Sequence, residues 1–460
     1  MDWKPRIDKN QAPLFMALVQ AIADDIKYGI LSSGIRLPTH RELADDLKMA
    51  VGTVTRAYDE AERRGLIYGD GRRGTFVGEM PSGRRLLASI SRGFPTGIDL
   101  SKNHPAHAFD PDLASALRSI ARKPECQRLL QYPPAAGMQE HRVAGAKWIE
   151  SLGLKVEPDS LFLCGGAQHA LMVVFAAETH PGDTVACEEY TYPGVKAIAE
   201  TLGLELLGIP MDDEGIIPDI LEHQCKHKSI RLLYCNPSLQ NPTNRIFTSA
   251  RRRQIAAIAE RYDFEVVEDE ILSPLLDEQP DFISGFAPER TYFVISASKA
   301  IAAGLRLGFI VAPQSSRQKL SDSLQASNLG GPPLMAEIFK QWLDSGIIGK
   351  TVARRKRELA AMNRITEEEL KNFNLHTVNN GYHVWLQLPE SWAGVKFTME
   401  AQKKGVMVAP AEIFAVDKKA ALNLVRLSIG AISDQEQLKR GLEILTRILS
   451  DTMPRDAVTV

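Results

Sequence analysis

Between residues 161 and 311 the chain repeats one pattern: a short apolar run rich in β-branched and aromatic residues, a loop, then a stretch with helical spacing. The runs are Leu161–Cys164, Val185–Glu188, Leu204–Ile209, Arg231–Cys235, Phe264–Val267, Tyr292–Ile295 and Leu307–Val311. Helices are expected between them, among others at Ala167–Glu178 and Ser249–Tyr262. Near-continuous apolar runs of this length read as strands buried on both faces. Alternating with helices, they predict an α/β fold built on a mainly parallel sheet with helices on both faces. Such a sheet takes its ligands in the loops at the carboxyl ends of its strands. Beyond about residue 330 the pattern changes to a long helical stretch and then Tyr382-His383-Val384-Trp385-Leu386-Gln387-Leu388, which predicts a smaller C-terminal α+β lobe.

The loops carry the chemistry. Ser296-Ala297-Ser298-Lys299 stands between two expected strands, with Arg306 just ahead of the second. A desolvated ammonium is costly without a partner, and burial lowers a lysine's pKa until it becomes a usable amine nucleophile. Ser-x-Ser-Lys alone reads as a loop lysine with two hydroxyls nearby; Arg306 changes the weighing, because hydroxyls and a guanidinium beside such a lysine make a phosphate cradle. A carbonyl cofactor carrying a phosphate is pyridoxal 5′-phosphate. Elsewhere, Gly165-Gly166-Ala167-Gln168 joins a strand to a helix, where backbone amides approach a phosphate, although a lone Gly-Gly turn is equally a tight connection. Tyr192 follows another strand, placed either to stack on a ring or simply to pack on its loop. Asn241 follows the next, and the stretch Phe264 to Glu270 puts Asp269 at a strand end, where a carboxylate would hold a pyridine nitrogen protonated.

The first 78 residues are of another kind. Leu14, Leu18, Ile22 and Ile26 recur at helical spacing after Pro13. Thr39 and Glu42 stand at capping-box spacing ahead of a second helix carrying Leu43, Ala44 and Leu47 inward. A third helix has Val54, Ala57, Tyr58 and Ala61 on its core face and Thr53 and Arg56 on the other. Gly69 to Val77 reads as a hairpin with a basic tip. Three helices and a hairpin make a winged helix-turn-helix. Charge does not demand this, because 12 basic residues stand against 11 acidic ones over 1–78, short of the basic balance typical of nucleic-acid modules. An amphipathic bundle with a solvated basic rim would satisfy charge alone; capping box, helix spacing and wing together favour the winged helix.

The stretch Arg36-Leu37-Pro38-Thr39-His40-Arg41, followed by Thr53-Val54, resembles the DNA-binding domain of the GntR regulators. The resemblance implies phosphate contacts from Arg36, Thr39 and Arg41, a recognition helix bearing Thr53 and Arg56, and a wing bearing Arg72 and Arg73. Ala50 and Val51 depart from the family's usual Ser-Arg pair, so the half-site sequence is not implied. From 98 onward, the order Gly-Gly, Tyr, Asn-Pro-Thr, Asp, Ser-x-Ser-Lys, Arg resembles the fold-type I aminotransferases. That likeness implies Lys299 holding the cofactor as a Schiff base, Asp269 on the pyridine nitrogen and Asn241 on the ring oxygen. It further implies phosphate binding by the Ala167 and Gln168 amides, Ser296, Ser298 and Arg306, stacking by Tyr192, and a ligand carboxylate on Arg426. Tyr132 would reach the partner's phosphate in a homodimer. Family members place a tyrosine three residues after the aspartate; here that position is Leu272, which has no hydrogen to donate.

The whole chain is similar to the MocR regulators, a GntR winged helix joined to an aminotransferase-like domain. The expected division is a winged helix over 1–78, a Gly-, Pro- and Ser-containing linker over 79–97, and a cofactor-binding domain over 98–460, with a large lobe to about 330 and a small lobe over about 331–460. The function expected is a pyridoxal-phosphate-dependent regulator that binds double-stranded DNA and senses an amino compound or the cofactor itself. The alternative is a working aminotransferase whose DNA-binding domain controls its own gene, and turnover stays open. The five cysteines are odd in number and lack Cys-x-x-Cys spacing, which argues against a disulfide framework or zinc site and fits a cytoplasmic location. No metal is expected. No apolar stretch is long enough to span a membrane.

Overall fold

The computed structural model describes residues 3–5, 7, 13–27, 30–32, 34–63, 66–69, 74–77, 97–417 and 423–450. The expected linker therefore lies outside the described residues except for Gly97, as do Arg72 and Arg73.

The N-terminal unit follows its sequence pattern closely. Helix Leu14–Lys27 buries Leu18, Val19 and Ile22, while Leu14 in its first turn stays exposed. Helix His40–Leu47 starts at a closed capping box: Thr39 Oγ1 accepts from the Glu42 amide at 3.3 Å, and the Glu42 carboxylate accepts from the Thr39 amide at 2.8 Å. Helix Val51–Arg63 buries Val54, Ala57, Tyr58 and Ala61. The Tyr58 hydroxyl donates to Pro38 O at 3.0 Å, tying this helix to the start of the one before it. Strands Ile67–Gly69 and Thr75–Val77 pair antiparallel. The segment over 35–37 lies along the second of them, with Leu37 donating to Thr75 O and Val77 to Ile35 O.

The large lobe is organised on a seven-stranded sheet in the spatial order Leu161–Cys164, Gly308–Val311, Thr291–Ser296, Glu265–Asp269, Ile230–Cys235, Thr184–Glu188, Glu205–Ile209. All pairings are parallel except those of Gly308–Val311, which runs antiparallel to both neighbours. Helices Ala167–Glu178 and Ser249–Tyr262 form as the periodicity predicts. The strand expected to end at Val267 continues through Glu268 and Asp269. Its charged end is affordable because Glu268 is paired with the buried Arg252 and accepts from the Ile283 and Ser284 amides, partners that no local pattern reveals.

The small lobe carries a four-stranded sheet including Val384–Gln387 and Leu424–Leu427. Two features differ from the expected lobe boundary. Ile98–Asp99 pairs with Val406–Met407, and Leu100 is buried among Val384, Leu386 and Leu427, so chain just past the linker joins this lobe. Helix Pro333–Asp344 instead packs Phe339 and Trp342 onto the large-lobe core with Trp148 and Phe309. The change of lobe falls inside helix Ile347–Glu369, whose Ile348 and Leu359 sit in the large-lobe core and whose Met362 sits in the small-lobe core. Apolar periodicity marks a buried face but not which of two cores receives it.

Candidate functional site

One edge of the large sheet collects the expected residues. Asp269 ends its strand, Ser296 ends the neighbouring strand, and Arg306 precedes the antiparallel one, so all three reach the same edge. Lys299 lies on the short helix Ala297–Ala300. It is partly buried; its amine donates to Asn103 O and stands 5.8 Å from the Tyr382 ring centre. Burial, with the cations of Arg426 and Arg306, pushes this amine down to about 7 against the opposing pull of Asp269. Asp269 is buried, and burial pushes its carboxyl up to about 7 although the Tyr234 hydroxyl donates to it at 2.8 Å. A desolvated carboxylate of this kind gains most from a cationic partner.

On the phosphate side, helix Ala167–Glu178 opens at Gly166 with no side-chain cap, leaving its first amides free for an anion. Gly166 has φ +88, and a Cβ there would stand 2.9 Å from the Arg306 guanidinium. The Ser296 hydroxyl accepts from the Ser298 amide at 3.4 Å. Ser298 Oγ and Gln168 Oε1 are buried without a partner among the described residues. Tyr192 is partly buried; burial and the charge of Asp269 push its hydroxyl up to about 12, and Arg306 and Arg426 act on it too. These orphaned atoms, the open helix end and the lysine–aspartate pair fit pyridoxal 5′-phosphate.

The small lobe supplies Arg426, which is buried, donates to Asn241 Oδ1 at 2.7 Å and to Ser101 O at 2.6 Å, and leaves Nε without a partner among the described residues. Burial lowers its pKa to about 9. Two expected residues, Asn241 and Arg426, thus meet directly. Sequence reasoning missed Ser101, Asn103, Tyr234, Tyr382, His383 and Ser428. His383 is fully buried with neither ring nitrogen partnered among the described residues, and burial together with the charges of Arg426 and Lys299 holds it well below the usual histidine range. The histidine next to a tyrosine in an apolar strand was the available signal.

Tyr132 and Leu272 stand outside this cluster. Tyr132 is 84% exposed, with Leu130 beside it at 80%. Leu272 is buried in the large-lobe apolar core and provides no donor there.

On the winged helix, Arg41 is exposed in the first turn of its helix, next to the capped N-terminus. Arg36 is also exposed, close enough that its charge helps hold the Glu42 carboxyl below its usual range, after the Thr39 hydrogen bonds that dominate. Thr53 is partly exposed, and the Arg56 guanidinium lies over the Phe15 ring at 4.5 Å. Among the described residues no helix is long and apolar enough to cross a membrane.

Comparison with known proteins gives two family matches: aminotransferase class I and II over residues 95–445, and bacterial regulatory proteins of the gntR family over residues 16–77. The chain is similar to the HTH-type transcriptional regulator YdeF of Bacillus subtilis, 30% identical over 453 residues that cover 98% of this chain and 97% of that one. It is also similar to the HTH-type transcriptional regulator TauR of Rhodobacter capsulatus, 27% identical over 92% of this chain and 94% of that one. Among solved structures it resembles LysN, the α-aminoadipate aminotransferase of Thermus thermophilus complexed with N-(5′-phosphopyridoxyl)-L-leucine, with a TM-score of 0.71 and 25% identity over 81% of this chain and 95% of that one.

Proposed function

Because the chain belongs to the aminotransferase class I and II family and carries a gntR-type domain ahead of it, we infer that it is a pyridoxal-phosphate-dependent transcriptional regulator that binds double-stranded DNA and senses an amino compound or the cofactor itself. The observation that carries this is the joining of a winged helix with a closed capping box to a site that keeps both the partly buried lysine and the buried aspartate. YdeF and TauR, both named as transcriptional regulators, match along nearly the whole chain. Five free cysteines agree with a cytoplasmic location.

In this reading Lys299 holds the cofactor's aldehyde carbon, Asp269 faces the pyridine nitrogen with Tyr234 orienting it, and Asn241 meets the ring oxygen. The Ala167 and Gln168 amides, Ser296, Ser298 and Arg306 take the phosphate, and Tyr192 covers the ring. Arg426 takes the ligand carboxylate. When bound, the cofactor supplies an electron sink for bonds at the ligand's α-carbon. The intact Lys299–Asp269 pair also favours a second reading, a working aminotransferase. Footprinting upstream of this protein's own gene and its neighbours, with and without amino acids, tests the first reading. Absence of any protected site, together with sustained turnover of an amino donor and a keto acid, would leave the enzyme.

Arg36, Thr39 and Arg41 would hold DNA phosphates, while Thr53 and Arg56 ride on the helix facing the groove. Arg41→Ala is expected to weaken binding to specific and random duplexes alike and to reduce the salt slope by about one. Loss confined to one sequence would make Arg41 a base reader instead.

The exposed Tyr132 and Leu130 support a homodimer in which Tyr132 completes the partner's phosphate site. Sedimentation of the whole protein is expected to show a dimer that Leu130→Asp dissociates. A monomer that keeps its cofactor would overturn this.

A further inference from the structure

The two inner strands of the small-lobe sheet, Val384–Gln387 and Leu424–Leu427, carry a second polar pair beside Arg426. Val384 pairs with Leu427 and Trp385 with Arg426 in antiparallel register, so His383 immediately precedes one strand at the end where Ser428 immediately follows the other. Side chains alternate along these strands. Val384, Leu386, Val425 and Leu427 enter the small-lobe core, so Trp385 and Arg426 project from the opposite face. His383 and Ser428 share that face, one step along from Arg426. Both are fully buried, and His383 Nδ1, His383 Nε2 and Ser428 Oγ all lack partners among the described residues.

The backbone around this pair is firmly held. His383 O accepts from Asn244 Nδ2, in the loop that carries Asn241, and from Thr377 Oγ1 at 3.2 Å. The Ser428 amide donates to Leu100 O at 2.7 Å. The His383 ring is 5.6 Å from Tyr382, whose own ring faces the Lys299 amine. The positions are fixed while the polar tips stay free. A buried polar group left unpaired is costly, so packing alone would be better served by apolar residues here.

We propose that His383 and Ser428 form a second recognition point beside Arg426, which selects amino acids whose side chain carries a hydroxyl or an amide over apolar side chains of the same size. The proposal rests on the reading that Lys299 holds the cofactor and Arg426 the ligand's carboxylate. An uncharged imidazole and a hydroxyl offer both donors and acceptors, which suits a neutral polar group. They bring no positive charge for a second carboxylate, and Arg426 and Lys299 repel a cationic side chain. An apolar side chain would leave the nitrogens unpaired, which is the stronger form of discrimination open to a binding site.

The test uses the full-length protein loaded with cofactor and titrates its visible band with L-threonine against L-valine, and with L-serine against L-2-aminobutyrate. Each pair differs by a hydroxyl in place of a methyl group. The polar member is expected to bind about tenfold or more tightly. His383→Phe, which keeps an aromatic ring, should bring the ratio close to one. His383→Gln should restore part of it, which a merely structural role would not do, and Ser428→Ala should lower it without requiring the histidine site to be rebuilt. Equal binding within both pairs by the natural protein, or a ratio unchanged in His383→Phe and Ser428→Ala, would overturn the subsite while leaving the Arg426 reading standing. A loaded protein whose band responds to none of the four amino acids would overturn both.

Discussion

Lys299→Ala is expected to abolish the visible absorbance band and leave no cofactor fixed by borohydride, because Lys299 is the amine that the turn from strand Thr291–Ser296 into helix Ala297–Ala300 presents to the site. The pH dependence follows from the same burial. With its amine near 7, about half of Lys299 is neutral at pH 7, against roughly one part in 2,500 for an ordinary lysine. Only the neutral amine attacks an aldehyde, so cofactor uptake by the stripped protein should rise with pH up to about 7 and then level off. Below that pH, protonation removes the nucleophile. The groups facing the amine act in opposite directions: Arg426 and Arg306 favour the neutral form, Asp269 the charged one, and the buried, neutral His383 adds no charge. A plateau reached only near pH 10 would mean that the site is wet and that burial does not tune the lysine. A band retained by Lys299→Ala would reject the assignment outright.

The sheet and the winged helix were legible because each is written locally. Val54, Ala57, Tyr58 and Ala61 mark a helix face by spacing alone, and Thr39 with Glu42 states where the preceding helix begins. The central strands announce themselves by apolar runs, and the fold then delivers the loop residues to one edge as a consequence of parallel topology. What stayed hidden depends on pairing over long separations. Tyr234 reaches Asp269 only because their strands are neighbours in register. Ile98–Asp99 joins Val406–Met407 across more than three hundred residues of chain, and nothing near Ile98 signals it. His383 reads as one polar residue in an apolar strand until the pairing of Val384 with Leu427 brings its end of the strand beside Ser428. The resemblance to aminotransferases named the first set of site residues and passed over the second.

Arg426→Gln is expected to weaken binding of a carboxylate ligand by about thirtyfold or more, on the scale of about 2 kcal/mol or above for removing one partner of a desolvated charge pair, while the visible band of the loaded protein persists. Arg426 is a buried guanidinium with no acidic partner among the described residues; its hydrogen bonds go to the neutral Asn241 Oδ1 and Ser101 O. A buried charge held only by neutral acceptors gains from any anion that arrives. The amino acid and its decarboxylated amine make the measurement direct. The natural protein should prefer the amino acid strongly, and Arg426→Gln should bind the two alike. The acceptors it would give up extend the prediction to DNA. Ser101 lies two residues beyond strand Ile98–Asp99, on the chain that leads back toward the winged helix, and Asn103 O holds the Lys299 amine in the same segment. A carboxylate that takes Arg426 would compete with Ser101 O, and a carbonyl group held by Lys299 would leave its nitrogen fewer hydrogens to offer Asn103 O. Ligand binding is therefore expected to disturb residues 101–103, just past strand Ile98–Asp99. In Arg426→Gln the difference in DNA affinity with and without ligand should vanish at ligand concentrations that saturate the natural protein. A variant that responds to ligand as the natural protein does would show that the carboxylate is read elsewhere.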